Sequence, residues 1–90
     1  MRHVLEHNLD WDVILANAVR CFRKRLVLVL FTPWSAGDTR PLDQSGTLID
    51  LSFRREDITG HFAGLEWRSE ELRTPTQYGT EHLFYVERPA

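Results

Sequence analysis

A run of six apolar residues, positions 26–31, constrains the fold of this chain more than any other feature. A strand with one face in water alternates apolar with polar residues, whereas a strand covered by helices on both faces of a parallel sheet is apolar throughout. Pro33 ends the strand, because proline has no N–H to donate to a sheet ladder. The run therefore predicts a buried strand in an α/β fold.

A helix is predicted directly before this strand. Asp10 can serve as its N-cap, and basic residues crowd its last turn, where the helix dipole favours positive charge. Between these ends the apolar residues recur at helical spacing: Trp11, Ile14, Leu15, Ala18, Val19 and Phe22. The segment therefore predicts an amphipathic helix.

A loop and a weaker helix are predicted after the strand. Residues 35–47 collect glycine, proline, serine and aspartate, a composition typical of a long surface loop. Ser52 is the expected cap of a second helix, which Gly60 interrupts and which ends near Gly64. We expect this helix to be short and less regular than the first.

The chain is predicted to end in two strands, residues 65–72 and 81–88. The connection between them contains proline and glycine, which favours an antiparallel pair. Three residues of this connection could reach the edge where the buried strand ends, but a hairpin connection is more often at the opposite edge or on the surface, so we do not place them in a site: Thr76, Gln77 and Tyr78. The order of helix, buried strand, loop, helix, strand and strand is half of a doubly wound sheet with an antiparallel edge.

Composition bounds the class of protein. Ninety residues make one small domain, and 42% hydrophobic with 27% charged residues is a globular balance. The net charge of −2 predicts neither a nucleic-acid partner nor an anionic membrane partner. A single cysteine, Cys21, excludes an intrachain disulfide, and the sequence shows no leader peptide or membrane-spanning run. We expect a cytoplasmic location.

Two stretches are compared with known families, one near the start of the chain and one that contains the last predicted strand: Arg2-His3-Val4-Leu5-Glu6-His7 and Gly79-Thr80-Glu81-His82-Leu83-Phe84-Tyr85-Val86-Glu87-Arg88. Together with the order of elements, they resemble the C-terminal half of class I S-adenosylmethionine-dependent methyltransferases, whose sheet is doubly wound and Rossmann-like. The resemblance covers nearly the whole chain. It makes the first stretch the exit of the fourth strand, residues 26–31 the fifth strand and the second stretch the seventh, antiparallel and beside the fifth.

The resemblance implies transfer of a methyl group from S-adenosylmethionine to a nucleophile on a small molecule. It places Arg2 and His3 against the cofactor, and it makes His3 and His7 candidate catalytic bases, since imidazole titrates near neutral pH. The alternative is that either histidine only caps or packs at the strand exit. Ligands of open α/β sheets bind at the carboxyl edge, so the residues after the fifth strand are expected to bind the acceptor: Thr32, Pro33 and Trp34.

The family holds its cofactor mainly through a glycine-rich turn after the first strand and an acidic residue after the second. None of the five glycines of this chain forms the G-x-G pattern. We therefore expect residues 1–90 to form a single, partial domain that lacks the N-terminal cofactor-binding half and is inactive alone. The alternative is a non-catalytic, partner-dependent fragment that self-associates through an exposed sheet edge.

A less favoured alternative is a zinc hydrolase. His3, Glu6 and His7 fit the spacing H-x-x-E-H, which on a helix supplies two zinc ligands and a glutamate base. Only two residues precede His3, so no helix on its N-terminal side would hold such a site. We therefore expect no metal, and the sequence does not identify the methyl acceptor.

Overall fold

A computed structural model describes residues 4–45, 48–75 and 77–89 of the chain. The helices are α1 (Trp11–Cys21) and α2 (Arg55–Thr59), with 3₁₀ turns over Leu5–His7 and Gly60–Phe62. The strands are β1 (Arg25–Leu30), β2 (Arg40–Ser45), β3 (Leu48–Ser52), β4 (Glu66–Leu72) and β5 (Glu81–Glu87). The structure is therefore a small α/β domain, and the predicted first helix, the strand that follows it and the final two strands are confirmed.

The main sheet has three strands in the order β1-β5-β4, with the last strand of the chain in the middle. Phe84 of β5 is paired with Leu28 of β1 on one side and Ser69 of β4 on the other, both antiparallel. The predicted antiparallel final pair is confirmed, and so is the position of the last strand beside residues 26–31. All described strand pairs are antiparallel, however, so these strands do not form the parallel sheet expected around β1.

The hydrophobic core lies on one face of this sheet. Leu28 and Leu30 of β1 lie on the same face as their cross-strand partners Phe84 and His82. Leu28, Leu30 and Phe84 are fully buried in a cluster that also contains helix residues: Leu15, Ile58 and Phe62. Val27 and Val29 lie on the opposite face and outside this cluster, although Val29 is also buried. The helix residues of the cluster therefore pack on one face of β1, whereas the sequence predicted helices on both faces.

A β-hairpin replaces part of the predicted loop at residues 35–47. β2 and β3 pair antiparallel, with a register shift between Pro41 and Asp43. β3 has one face on the core, because Ile49 and Leu51 are buried and Asp50 between them is only half-buried. Residues 35–39 of the predicted loop have neither helix nor strand, and Gly46 and Thr47 lie outside the described residues.

The start of α2 differs from the prediction that Ser52 caps it. The Ser52 hydroxyl instead donates to the Pro33 carbonyl at 2.7 Å, which joins β3 to the segment after β1. The cap is supplied from a distance: Thr39 Oγ1 accepts the Arg54 N–H at 2.9 Å and donates to Asp57 Oδ2 at 2.6 Å. A hydroxyl from the entrance of the hairpin thus satisfies a backbone donor that has no partner within the helix.

Arg88, which follows β5, closes the domain against α1. Its guanidinium donates to the carbonyls of Val19, Arg20 and Phe22 at 2.8, 3.1 and 2.9 Å. It also lies over the Phe22 ring, 4.4 Å from the centroid. The last carbonyls of a helix have no partner within it and carry partial negative charge, so a cation there is stabilising.

Candidate functional site

The candidate site lies at the edge of the sheet where β1 ends. Because β5 runs antiparallel to its neighbours, its start lies beside the ends of both: His82 pairs with Leu30, and Glu81 pairs with Leu72. The connection between β4 and β5 therefore lies at the same edge as residues 32–34. The connection is not at the opposite edge, because β5 returns beside β1. Gln77 is on the surface, as the prediction also allowed, and Thr76 lies outside the described residues.

His7 is one of the candidate bases, and its ring is held through Nδ1. This nitrogen is 3.0 Å from the Ile49 carbonyl oxygen and 3.2 Å from Asp50 Oδ1. Both neighbours are acceptors, so the proton of the neutral imidazole belongs on Nδ1, which leaves a lone pair on Nε2. The side chain of His7 is 49% exposed, so the ring is held by its partners and remains accessible to a small molecule.

Asp50 connects His7 to a residue that the sequence did not place in the site. The Tyr78 hydroxyl donates to Asp50 Oδ2 at 2.9 Å. The Phe31 ring lies next to both, with its centroid 5.6 Å from that of His7 and 5.8 Å from that of Tyr78. We call His7, Phe31, Asp50 and Tyr78 the edge cluster. Its members are distant in sequence, and only the topology of the sheet brings them together.

Glu6 has a different role from its neighbour His7. It is fully buried, and Oε2 accepts the Phe31 N–H at 2.6 Å. The 3₁₀ turn that carries Glu6 and His7 spans three residues, so it is not the helix that the zinc signature requires. Arg2 and His3 lie outside the described residues, and the part of the chain that is described contains no group of three metal-ligating side chains. Glu6 thus anchors the entry segment to the end of β1.

The residues expected to bind an acceptor are themselves tied to the fold. Thr32 is buried, and its hydroxyl donates to the Leu51 carbonyl at 2.6 Å. Pro33 accepts the Ser52 hydroxyl through its carbonyl. Trp34 packs against the core and stacks on His82, with ring centroids 4.3 Å apart. Thr32 and Pro33 therefore join β1 to β3, while Trp34 covers the end of the sheet.

His82 is a buried histidine that sequence reasoning treated only as part of a strand. Burial lowers its pKa below the ordinary value; the carboxylate of Glu71 and the backbone of Thr32 oppose this effect, and Arg55 adds slightly to it. Nδ1 lies 3.4 Å from Glu71 Oε1. A cleft of about 210 Å³ opens between Trp34, Arg55, Glu71 and His82. A neutral imidazole therefore forms part of the wall of this cleft.

Two of the described glycines have a backbone role. Gly64 and Gly79 have positive φ angles, 79° and 72°, and each lies in a turn next to a strand. A side chain would be strained at these angles whatever the space around it, so these two glycines serve chain reversal.

Comparisons with known proteins give no independent indication of family. No protein-family model matches the sequence, no curated protein matches it, and no solved structure matches the fold. Among the described residues, no helix has the length and apolar character that crossing a membrane requires. The argument for function therefore rests on the strand order and on the edge cluster.

Proposed function

We propose that this chain is the C-terminal portion of an S-adenosylmethionine-dependent methyltransferase that acts on a small-molecule nucleophile. The observation that carries the proposal is the position of β5, antiparallel between β1 and β4. This is the arrangement that the resemblance implies for the fifth and seventh strands. The contact between Glu6 and Phe31 adds support, because it brings the segment after the expected fourth strand to the end of the fifth.

The edge cluster supports the same proposal from the chemical side. Ligands of open α/β sheets bind outside the carboxyl ends of strands, and His7 and Tyr78 both lie at the end of β1. In this proposal Arg2 and His3 contact the cofactor, and His3 and His7 are candidate bases. The residues that follow β1 bind the acceptor: Thr32, Pro33 and Trp34. Positioning of donor and acceptor would supply most of the rate.

The proposal is tested by titrating the 90-residue chain with S-adenosylhomocysteine. Heat is measured by calorimetry, and fluorescence reports on Trp34 near the proposed site, with Trp34→Phe used to assign the signal. Saturable binding at one site, with a change in Trp34 emission, supports a cofactor wall at this edge. Absence of binding at millimolar ligand favours the non-catalytic alternative. Adenine alone is the control for weak stacking on exposed aromatic rings.

The non-catalytic alternative is supported by the sequence, in which none of the five glycines forms the G-x-G pattern. As a partner-dependent fragment, the chain would self-associate through a sheet edge. The outer strand β4 carries exposed charges that disfavour edge pairing: Glu66, Arg68, Glu70 and Glu71. Sedimentation velocity separates the cases, since a dimer that forms at micromolar concentration supports the fragment and a monomer counts against it.

A further inference from the structure

We propose that the cleft between α2 and β4 binds a small zwitterion, an α-amino acid, with the ligand carboxylate on Arg55 and the ligand ammonium on Glu71. We call it the α2–β4 cleft, and these residues line it: Trp34, Arg55, Ser69, Glu71, His82 and Phe84. The inference goes beyond the proposed function, because it concerns binding alone and involves no methyl transfer. It is carried by a cation and an anion that line the same cavity.

The α2–β4 cleft lies on the core face of the sheet. Ser69 pairs with Phe84 and Glu71 pairs with His82, so both β4 side chains lie on the same face as the core residue Phe84. Ser69 and Glu71 remain exposed, since no helix covers them. The volume of about 210 Å³ is several times the roughly 30 Å³ of one water and below the ~300–1,000 Å³ of a drug-sized pocket. The cleft therefore has room for a small molecule.

Arg55 supplies a positive charge that is held in place. Its guanidinium donates to the Ser69 hydroxyl at 3.3 Å. It also lies over two aromatic rings, 5.6 Å from the centroid of Trp67 and 6.0 Å from that of Phe84. Among the described residues, no carboxylate forms an ion pair with Arg55. A guanidinium can bind a carboxylate through two parallel N–H donors, so Arg55 is the end of the cleft that fits an anion.

Glu71 supplies the negative charge. Its Oε1 lies 3.4 Å from His82 Nδ1, which leaves Oε2 to accept a hydrogen bond from a ligand. Burial lowers the pKa of His82, so its imidazole is neutral at pH 7 and does not cancel the charge of the carboxylate. Glu70 also lines the cleft, but its side chain lies on the other face of the sheet, beside Arg68 and Tyr85. The cleft therefore carries one charged side chain of each sign.

The spacing of the two charges fits an α-amino acid. Arg55 is bonded to Ser69, and Ser69 and Glu71 are two residues apart on β4, a separation of about 7 Å along a strand. A carboxylate and an ammonium on one carbon atom, each with a hydrogen bond of about 2.8 Å, span a similar distance. A simple anion would be repelled by Glu71 and a simple cation by Arg55, so a ligand with both charges is favoured. The rings of Trp34 and Phe84 offer apolar surface to its side chain.

Binding is tested with L-leucine as the probe, added to the 90-residue chain. ¹H–¹⁵N NMR follows the indole N–H of Trp34 and the amides of Ser69 and Glu71. Saturable shifts of these signals are expected, with a Kd on the order of 1 mM for so small a ligand. N-acetyl-L-leucine lacks the ammonium and 3-methylbutylamine lacks the carboxylate, so each should bind at least tenfold more weakly. No saturation at tens of millimolar leucine, or equal binding of either analogue, overturns the inference.

The position of the ligand is tested with Arg55→Gln and Glu71→Gln. Each removes one charge from an exposed side chain, so the fold should be retained while leucine binding weakens at least fivefold. Arg68→Gln and Glu70→Gln are matched controls, because they remove the same charges from the other face of β4, and they should bind leucine like the parent. A variant of Arg55 or Glu71 with the affinity of the parent overturns the inference. Leucine contains no nucleoside, so this outcome is independent of the S-adenosylhomocysteine titration.

Discussion

The indole of Trp34 stacks on the buried imidazole of His82, with ring centroids 4.3 Å apart and the planes inclined by 26°. Trp34 also meets Phe84 edge-on, with centroids 5.9 Å apart. The contact joins the segment after β1 to the start of β5, so it holds one wall of the candidate site. Trp34 also lies against the buried face of His82. Burial of His82 is the main reason that the pKa of its imidazole is lowered.

His82 should make stability depend on pH. The pKa of His82 is below 6.5 in the folded protein, whereas an unfolded chain has a value near 6.5. As the pH falls below about 6.5, the unfolded chain therefore binds a proton first, and the free energy of unfolding decreases. Urea unfolding between pH 5 and pH 8 measures this loss. His82→Gln should reduce the slope. His61→Gln, a control at a partly exposed histidine beside Asp12, should keep the part of the slope that His82 causes.

Glu6 should matter for stability, because its carboxylate receives the Phe31 N–H in a fully buried position. Glu6→Ala removes the acceptor and is expected to cost about 1–3 kcal/mol of unfolding free energy. Glu6→Gln keeps an oxygen that can accept the same bond and should cost less. Equilibrium urea denaturation compares the two variants. Full stability in Glu6→Ala would mean that Glu6 does not anchor the entry segment.

Thr39 should stabilise the start of α2 from outside the helix. Thr39→Val removes the hydroxyl that links Arg54 and Asp57, at a cost of about 1 kcal/mol. The hydroxyl is also the main cause of the lowered pKa of Asp57. The corresponding stability is present above the unfolded value near pH 3.9 and is lost as the pH falls through the folded pKa. Thr39→Ser, which keeps the hydroxyl, should behave like the parent when thermal unfolding is followed from pH 2 to pH 6.

Arg88 should protect the end of α1. Arg88→Ala removes the side-chain donor from three carbonyls at the end of α1, which then bond only to water. The variant is expected to lower the unfolding free energy by about 1 kcal/mol. Arg25→Ala is the matched control, because Arg25 only pairs with Glu87 on the surface and its loss should cost about 0.5 kcal/mol or less. Hydrogen exchange of the α1 amides measures the local effect. Equal protection in both variants would contradict a capping role for Arg88.

The sequence predicted the elements whose signal is local. α1 has helical spacing of apolar residues, and β1 is an unbroken apolar run, so each was placed within one or two residues. The hairpin is not predicted, because the turn residues of positions 35–47 indicate a loop, although Ile49 and Leu51 alternate with Asp50 as in a strand. Sequence reasoning favoured Ser52 as a cap because serine is a common cap, but its hydroxyl bonds to the segment after β1 instead.

The edge cluster could be predicted only in part. His7 was a candidate base from its motif, but its partners come from β3 and from the connection before β5. No local pattern connects positions 7, 50 and 78. These positions come together because β5 returns antiparallel beside β1. The connection between β4 and β5 therefore lies at the edge of the sheet where β1 ends. The resemblance implies that strand order, which allows Tyr78 to reach this edge, but the usual position of a hairpin connection favours the opposite edge or the surface.

The central position of β5 has a consequence for how the chain folds. Leu28 pairs with Phe84 and Arg25 with Glu87, so closing the sheet joins segments that are most of the chain apart. Pairing of such distant segments is slow, because the entropy of closing the intervening loop is lost before the contact is gained. During synthesis, β1 and β4 cannot pair in this sheet until β5 has left the ribosome. Truncation before Glu81 should therefore prevent folding altogether.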